Sequence, residues 1–203
     1  DLALLPQLVE LANKYHAWLM VDDAHGLGVL GNSGRGCLEY YGLNAEIPLL
    51  IGTLGKAFGV FGAFVAGSEL LIETLIQTAR SYIYTTALPP ALAMTLQQSV
   101  EIVRTETWRL QRLQTLIQYF RTQAQLRQLP LADSFTPIQP IILGDSERAL
   151  HLSQQLLQKN ILVTAIRPPT VPQNTARLRI TLSAAHIESQ IEQLLDALHP
   201  LMF

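Results

Sequence analysis

Short apolar runs that end in polar residues recur along the first third of the chain. The run 17–21 ends in Asp22, and the run 49–51 leads into Thr53. Both runs are apolar at every position, which is typical of strands buried on both faces of a parallel sheet. A helical stripe over 8–15 precedes the first run. Because the carboxyl ends of parallel strands share one edge of a sheet, the pattern predicts an α/β fold with Asp22 and Thr53 at that edge.

The remaining segments alternate between helical and strand patterns. A third strand is expected at 61–67, with Ser68 as the N-cap of the helix that follows. From Pro90 to about Gln128 apolar residues recur at intervals of three and four, which indicates helix. Beyond Pro130 the pattern predicts strands at 138–143, 161–166 and 177–182 and helices at 146–159 and 186–198. This alternation suits a small C-terminal α+β domain.

The composition narrows the classes of partner. Of 203 residues 49% are hydrophobic and 15% are charged, and the formal net charge is -2, so the chain has no basic surface for nucleic acid. No apolar stretch approaches the roughly 20 residues of a membrane span. Cys37, the single cysteine, excludes an internal disulfide and a thiolate zinc site. We therefore expect a cytoplasmic protein that binds neither nucleic acid, membrane nor metal.

Since the chain starts with Asp1 at the beginning of a helical pattern, we expect it to be part of a longer protein.

Lys56 lies in a glycine-flanked segment, GTLGKAFG at 52–59. The preceding predicted strand ends in Asp22, and His25 follows it. An amine at the sheet edge, accompanied by a carboxylate and an imidazole, is the equipment that holds pyridoxal phosphate as a Schiff base. Thr53 adds a hydroxyl for a phosphate. A lysine in such a setting loses basicity, which also suits it to remove a proton from a substrate.

The segment 26–31, GLGVLG, offers a competing interpretation. It matches the dinucleotide-binding pattern G-x-G-x-x-G and follows a predicted strand. Against this, residues 32–36 do not open a helix, and Asp22 and Asp23 would repel a pyrophosphate. Glu46, further along, precedes the next strand instead of ending it. The pattern therefore favours a site other than a nicotinamide site.

Simpler explanations exist for each residue taken alone. The strand-end carboxylates could bind a metal or cap a loop, and Lys56 could be an ordinary surface lysine. The occurrence of Asp22, His25 and Lys56 together, at the ends of neighbouring strands, favours the cofactor.

Three arginines near the C-terminus are candidates for binding a carboxylate. Arg167 follows the strand predicted at 161–166, and Arg177 and Arg179 share one face of the next strand, with Leu178 on the other. A guanidinium that faces a cleft could bind a substrate carboxylate through two parallel hydrogen bonds. Surface ion pairing is the alternative role.

Taken together, these segments resemble the α-oxoamine synthases, pyridoxal-phosphate enzymes of aminotransferase fold type I, along the whole chain. The resemblance rests on VDDAHG at 21–26, GRG at 34–36, TLGK at 53–56, YIYTTALPP at 82–90 and ARLR at 176–179. It implies an α/β fold in which residues 1–105 form the C-terminal portion of the large cofactor-binding domain, a mostly parallel sheet with helices. Residues 106–203 would form the small C-terminal α+β domain with its connecting helix.

By position, the resemblance implies catalytic and cofactor-binding roles for four residues. Asp22 would pair with the protonated pyridine nitrogen of pyridoxal phosphate, and His25 would hydrogen-bond its phenolic oxygen. Thr53 would contact its phosphate. Lys56 would form the Schiff base and act as the catalytic base.

The resemblance also implies contacts with a second subunit and with substrate. Thr85 or Thr86 would reach the phosphate in a neighbouring subunit, since the sites of this family lie at a dimer interface, and a homodimer is expected. Arg179 matches the arginine that binds the amino-acid carboxylate. Thr170 matches a substrate-contacting position, and Arg167 lies in the segment that differs between members of the family.

The segments IRPPTVP at 166–172 and DS at 133–134 followed by IQPI at 138–141 are similar to those of members that act in biotin biosynthesis. These members condense L-alanine with a pimeloyl thioester, carried by coenzyme A or a carrier protein, and release carbon dioxide. Members that use glycine or serine stay open as alternatives, as do a non-catalytic interaction module and a dinucleotide-binding oxidoreductase. Since members of the family are considerably longer, the chain alone is expected to bind the cofactor weakly or not at all.

Overall fold

The computed structural model describes residues 2–43 and 47–202. The described residues form two compact units, Leu2–Leu110 and residues 111–202. In chain order the elements are α1 (Leu5–Tyr15), β1 (Met20–Asp22), α2 (Cys37–Tyr41), β2 (Leu49–Thr53), β3 (Ala63–Gly67), α3 (Glu69–Thr78), α4 (Arg80–Ile83), α5 (Pro90–Thr105), α6 (Trp108–Leu126), β4 (Ile138–Gly144), α7 (Ser146–Gln158), β5 (Thr164–Ile166), β6 (Ala176–Thr181) and α8 (Glu188–Met202). The division between the units falls inside α6.

The sheet of the first unit has the strand order β1-β2-β3. β1 and β2 run parallel, whereas β3 returns antiparallel to β2. A parallel pair cannot be joined by a hairpin, and the connection from β1 to β2 includes the short helix α2. The parallel pairing predicted for the first two apolar runs is confirmed.

Helix α1 packs beneath β1. Its Leu5 forms a buried cluster with Val21 of β1 and Leu38 of α2. The helix predicted before the first strand is confirmed, but its buried residues are Leu5 and Val9, while Leu11, in the stripe over 8–15, is 50% exposed. The covered face is thus the one defined by the spacing of four between Leu5 and Val9.

β1 is shorter and more exposed than the sequence predicts. Within Met20–Asp22 only Val21 is buried, and Met20 is 58% exposed. Trp18, expected inside the strand, precedes it and is 74% exposed. β1 is the edge strand of this sheet and pairs with β2, so its side chains alternate between a covered and an open face. The expectation of a strand buried on both faces is therefore wrong for the described residues.

The sheet of the second unit is antiparallel, in the order β4-β6-β5. Its core contains completely buried side chains from α6, α7, β6 and α8, among them Phe120, Leu156, Leu178 and Leu195. The alternation of strands and helices predicted after Pro130 is confirmed, although β5 begins at Thr164 instead of residue 161.

The long helix predicted from Pro90 to about Gln128 is interrupted. α5 ends at Thr105 and α6 begins at Trp108. Between them the carbonyl of Glu106 accepts from the N–H of Arg109 at 3.0 Å, and its carboxylate accepts from Arg109 Nε at 2.8 Å. Glu106 therefore acts as the first residue of a new helical turn, and the helix restarts there.

Across residues 2–43 and 47–202, the helices all fall short of the length and apolar character that crossing a membrane requires.

Candidate active site

The carboxyl ends of β1 and β2 lie side by side. Asp22 is the register partner of Ile51, and the N–H of Asp23 donates to the carbonyl of Ile51 at 2.9 Å. β2 continues beyond Ile51 to end at Thr53. Asp22 and Thr53 therefore stand at the same edge of the sheet, as the sequence pattern predicts.

Lys56 lies at the tip of a closed turn that follows β2. The base of the turn is joined by two backbone hydrogen bonds, from Val60 N to Leu54 O at 2.8 Å and from Leu54 N to Gly62 O at 2.9 Å. At the tip, the N–H of Gly59 donates to Lys56 O at 3.0 Å, and the φ of Gly59 is 65°, a value that glycine adopts without strain. The turn holds its shape and exposes the side chain of Lys56.

The amine of Lys56 is paired with the hydroxyl of Thr53. Lys56 Nζ donates to Thr53 Oγ1 at 3.1 Å. On the other side of the turn, Ser99 Oγ of α5 donates to Phe58 O at 2.7 Å. One side chain of β2 and one of α5 thus contact the turn that carries the lysine.

Asp22 and His25 belong to the turn that leaves β1. Asp22 Oδ1 accepts a hydrogen bond from the N–H of Ala24 at 3.0 Å. The side chains of Asp22 and His25 are exposed, whereas Asp23 and Ala24 between them are buried. The carboxylate and the imidazole therefore both face solvent from one short turn.

The loop 26–36 is shaped around the carboxylate of Asp23. Asp23 is 3% exposed, and its Oδ2 accepts from the N–H of Cys37 at 2.7 Å. A Cβ added at Gly26 would overlap Oδ1, and one added at Gly36 would overlap Oδ2. The φ of Gly36 is also 86°, which side chains disfavour. The two glycines are required because the carboxylate occupies the space beside them.

A second carboxylate, that of Glu39 in α2, holds the outer half of the loop. It accepts hydrogen bonds from Ser33 Oγ at 2.8 Å, from Ser33 N at 3.1 Å and from Arg35 N at 3.0 Å. A Cβ at Gly31 would overlap Glu39 Oε2. Burial pushes the pKa of Glu39 upward, but the N–H of Arg35 and the two Ser33 donors outweigh it and hold the pKa below its usual value.

Glycines are required in this loop because carboxylates of the chain itself lie against it, whereas in a dinucleotide-binding turn they make room for a pyrophosphate. The helix that follows, α2, begins only at Cys37 and has five residues. A pyrophosphate at this loop would meet the carboxylates of Asp23 and Glu39, so the geometry does not support the dinucleotide interpretation. Glu46, which the sequence offers with that interpretation, lies outside the described residues.

Burial gives Asp23 and Cys37 unusual acidities. It raises the pKa of Asp23, although hydrogen bonds from Cys37 and Gly26 act in the opposite direction. The pKa of the Cys37 thiol is raised to about 12, first by burial and then by its hydrogen bond to Asp23. Such a thiol stays protonated near neutral pH and can donate to the carboxylate.

The remaining predicted residues of the first unit lie in an exposed segment. Thr85 and Thr86 stand between α4 and α5, and the N–H of Thr85 donates to the carbonyl of Tyr82 at 3.3 Å. Their proposed contact with a neighbouring subunit stays a prediction.

The predicted substrate residues lie in the second unit. Arg179 is exposed on β6, and Arg177 donates from Nε to the carbonyl of Thr175 at 2.9 Å. Leu178 between them is buried, so the prediction that the two arginines share a face is confirmed. Arg167 and Thr170 are exposed in the turn after β5.

The donor set at the strand ends fits pyridoxal phosphate. At this edge of the sheet the chain presents an amine, a hydroxyl and a carboxylate. The amine can bind the aldehyde of the cofactor, the hydroxyl its phosphate and the carboxylate its ring nitrogen.

Within the described ranges no group of three His, Cys, Asp or Glu side chains could hold a metal ion. An apolar groove of about 420 Å³ in the first unit is lined by residues that include Trp18, Leu50 and Leu71 and by none of the predicted site residues.

Comparison with known proteins identifies the class to which this fold and site belong. The chain belongs to the aminotransferase class I and II family, whose sequence pattern matches residues 1–198. The predicted fold class, part of a fold type I transferase, is confirmed by this match and by solved structures.

Curated relatives of this chain include several 8-amino-7-oxononanoate synthases. The chain is 60% identical over 199 residues to an 8-amino-7-oxononanoate synthase of Pseudomonas savastanoi pv. phaseolicola, covering 98% of the chain and 50% of that protein. It is 59% identical over 198 residues to the enzyme of the same name from Nitrosococcus oceani, covering 97% of the chain and 52% of that protein. The chain thus spans about half the length of the curated relatives it matches, and the resemblance to α-oxoamine synthases is confirmed.

Solved structures agree with this placement. A serine palmitoyltransferase of S. paucimobilis with a bound PLP–myriocin aldimine has a TM-score of 0.93 and 30% identity over 99% of this chain and 51% of that one. An 8-amino-7-oxononanoate synthase from Francisella tularensis has a TM-score of 0.83 and 34% identity over 96% of this chain and 57% of that one.

Two residues that hold the loop 26–36 in place escape prediction from the sequence pattern. Asp23 stands beside Asp22, and nothing in the motif separates their roles. Glu39 is the third residue of α2 after its N-cap, Gly36. An acidic residue at that position commonly reaches back to N–H groups before the helix, which is the signal that could have identified it.

Proposed function

We propose that the complete protein that carries this chain is a pyridoxal-phosphate-dependent acyltransferase of the α-oxoamine synthase type. The observation that carries the proposal is the hydrogen bond from Lys56 Nζ to Thr53 Oγ1 at 3.1 Å, at the sheet edge where β1 presents Asp22. The family and the name of the 60% identical relative support the same cofactor and reaction class.

Four residues of the first unit would hold the cofactor. Lys56 would bind its aldehyde carbon, Asp22 its pyridine nitrogen, His25 its phenolic oxygen and Thr53 its phosphate. When bound, pyridoxal phosphate supplies an electron sink for the electron pair of a breaking bond next to the amino group. Asp22 keeps the ring nitrogen protonated because a nearby carboxylate favours the charged form.

Lys56 has a second task, which is to take the α-proton of the amino acid. A general base must be held within hydrogen-bonding reach of the proton it removes. The closed turn and the hydroxyl of Thr53 hold the amine at the sheet edge, so that the same group can serve both tasks.

The substrate contacts are proposed for the second unit. Arg179 would bind the amino-acid carboxylate, and it suits this better than Arg177, whose Nε already donates to Thr175 O. Thr170 and Arg167 would contact substrate from the turn after β5. Thr85 or Thr86 would contact the phosphate in the neighbouring subunit of a homodimer.

The proposed substrates are L-alanine and a pimeloyl thioester, carried by coenzyme A or by a carrier protein. The products are 8-amino-7-oxononanoate, carbon dioxide and the free thiol of the carrier, within biotin biosynthesis in the cytoplasm. The name of the relatives that share about 60% of residues with the chain supports this choice.

The test measures thiol release by the complete protein from pimeloyl-coenzyme A and from the pimeloyl-carrier protein. L-alanine, glycine and L-serine are compared, and L-alanine should give the highest kcat/KM. Lys56→Ala should lower kcat by about 1,000-fold or more and abolish the visible absorption band of bound pyridoxal phosphate.

Lys159→Ala is the matched control, since Lys159 follows α7 and should affect neither readout. A band that persists in Lys56→Ala would contradict the cofactor site. A preference for glycine would contradict the substrate and leave the cofactor site intact.

The structural neighbours favour one second candidate. Serine palmitoyltransferases match the fold of nearly the whole chain with a TM-score of 0.93. The assay therefore includes L-serine with a long-chain acyl-coenzyme A, and activity confined to that pair would identify the serine-using reaction.

A further inference from the structure

We propose that Asp23 is a positioning residue, whose buried carboxylate fixes both the turn that presents Asp22 and His25 and the loop that packs against the lysine turn. This inference rests on the function proposed above. Asp23 is 3% exposed and therefore does not itself touch substrate or cofactor.

The backbone of Asp23 already joins three parts of the site. Its N–H donates to Ile51 O of β2 at 2.9 Å. Its carbonyl accepts from Gly26 N at 3.1 Å and from Leu27 N at 3.2 Å. The residues between Asp23 and Gly26, which include His25, are thus enclosed in a turn that starts at the strand end.

The side chain of Asp23 closes this turn against the far end of the loop. Its Oδ2 accepts from Cys37 N at 2.7 Å, and the N–H of Gly26 and the thiol of Cys37 also face the carboxylate. Gly26 and Gly36 pack so closely that a Cβ on either would overlap its oxygens. Because donors surround the carboxylate, an amide of the same shape would turn its NH₂ group toward at least one of them.

The loop in turn contacts the segment that carries Lys56. A Cβ added at Gly28 would lie 2.8 Å from the Cβ of Ala57, the residue that follows the lysine. A Cβ at Gly52 would overlap the side chain of Leu27. If the loop moved away from Asp23, Leu27 and Gly28 would move with it. These residues touch Gly52 before the lysine and Ala57 after it.

The experiment compares Asp23→Asn with Glu39→Gln in the complete protein loaded with pyridoxal phosphate. Both variants remove one charge from a carboxylate that holds the same loop, but only Asp23 borders the turn of Asp22 and His25. Three readouts are taken: the pH midpoint of the cofactor's absorption band, kcat and KM for the amino acid, and amide exchange at residues 24–28 of the apoprotein.

We expect the pH midpoint in Asp23→Asn to rise by about one unit. If Asp22 is displaced from the ring nitrogen, the ring loses its positive charge and the proton on the lysine–cofactor linkage is held more tightly. We expect kcat to fall by about 100-fold, as for a misplacement of about 1 Å, with KM changed by less than about threefold. Amide exchange at 24–28 should be faster. Glu39→Gln should lower Tm and leave the pH midpoint and kcat unchanged.

An unchanged pH midpoint and kcat in a folded Asp23→Asn variant would overturn the proposal, even if Tm falls, because a purely structural residue would behave in that way. Should this variant fail to fold, Cys37→Ala removes only the thiol donor and keeps the N–H donor. A smaller rise of the midpoint would then support the proposal, and no rise would overturn it.

Failure of the proposed function gives a different result. If the wild-type protein shows no absorption band with pyridoxal phosphate, the cofactor site is wrong. The role of Asp23 in fixing the turn is then decided by amide exchange alone, and equal exchange in wild type and Asp23→Asn would overturn it.

Discussion

Cys37 gives both of its donors to one carboxylate. Its N–H donates to Asp23 Oδ2 at 2.7 Å, and its thiol is also hydrogen-bonded to Asp23. Reactive cysteines lie beside cations or helix N-termini that lower the thiol pKa. Cys37 is the first residue of the five-residue helix α2, yet burial and the neighbouring carboxylate of Asp23 raise its pKa to about 12. The thiol is therefore a structural donor.

This environment predicts a slow reaction with alkylating reagents. With a pKa of about 12, only about one thiol in 10,000 is ionised at pH 8. Mass spectrometry should show Cys37 largely unmodified by iodoacetamide in the native protein and fully modified in guanidinium chloride. Rapid modification of the native protein would show that Asp23 does not hold the thiol protonated.

The sequence identifies some site residues and misses others for a physical reason. Asp22, His25 and Lys56 could be predicted because strand ends and flanking glycines mark them. Asp23 could be separated from Asp22 only by the alternation of the strand, in which Val21 is buried, Asp22 exposed and Asp23 buried again. That alternation is hidden by the apolar residues on both faces before Val21.

Between elements, the clearest polar contact of the second unit joins α6 to the start of α8. Arg112 donates from its two terminal nitrogens to the two oxygens of Glu188, at 2.6 Å and 2.8 Å. This paired hydrogen bond lowers the pKa of Glu188 from 4.5 to about 2. Since the pKa is lower in the folded state, the pair stabilises the fold at neutral pH.

Glu188→Gln tests this contact through its pH dependence. The stability that Glu188 contributes is fully present above its unfolded pKa of 4.5 and is lost as the pH falls toward about 2. The Tm of wild type should therefore exceed that of Glu188→Gln at pH 6, and the two values should converge near pH 2. A constant difference between the two across this range would mean that the ionised pair does not contribute.

Capping chemistry is local, and the elements that depend on it could be predicted well. Ser68 is the N-cap of α3, as predicted, and its Oγ accepts from Leu71 N at 3.3 Å. The break between α5 and α6 could not be predicted, because it depends on the interaction of Glu106 with Arg109 inside an otherwise periodic pattern. The degree of burial could not be predicted from the apolar spacing either. Helix α5 has such spacing but contains no buried residue among those described.

Completely buried side chains are unevenly distributed between the two units. The nine large side chains that are completely buried all belong to residues 111–202 among those described. In the first unit, by contrast, Trp18, Leu70 and Tyr84 are 74%, 79% and 79% exposed. Among the described residues, the first unit thus has a small buried cluster around Leu5, Val21 and Leu38, whereas the second unit has a larger and more completely buried apolar core.

This asymmetry predicts how the two parts behave when they are expressed separately. Residues 106–203, which retain all of α6, should unfold cooperatively on heating, as followed by circular dichroism. Residues 1–105 should give a broad transition and bind a dye for exposed apolar surface. A sharp transition in the first piece, or none in the second, would contradict this division of stability.

The carboxylates inside the glycine-rich loop have a consequence for how such loops are recognised. The loop 26–36 resembles loops that bind an external anion in one respect. Both need room for negatively charged oxygens close to the main chain, and glycine provides that room. Here the anions are covalently part of the chain, so the loop is already neutralised from within and has no vacancy for a phosphate of a diffusing ligand. A glycine pattern of this kind therefore indicates that the loop accommodates an anion. Acidic residues near the loop in the sequence show whether that anion is a side chain of the protein or a bound ligand.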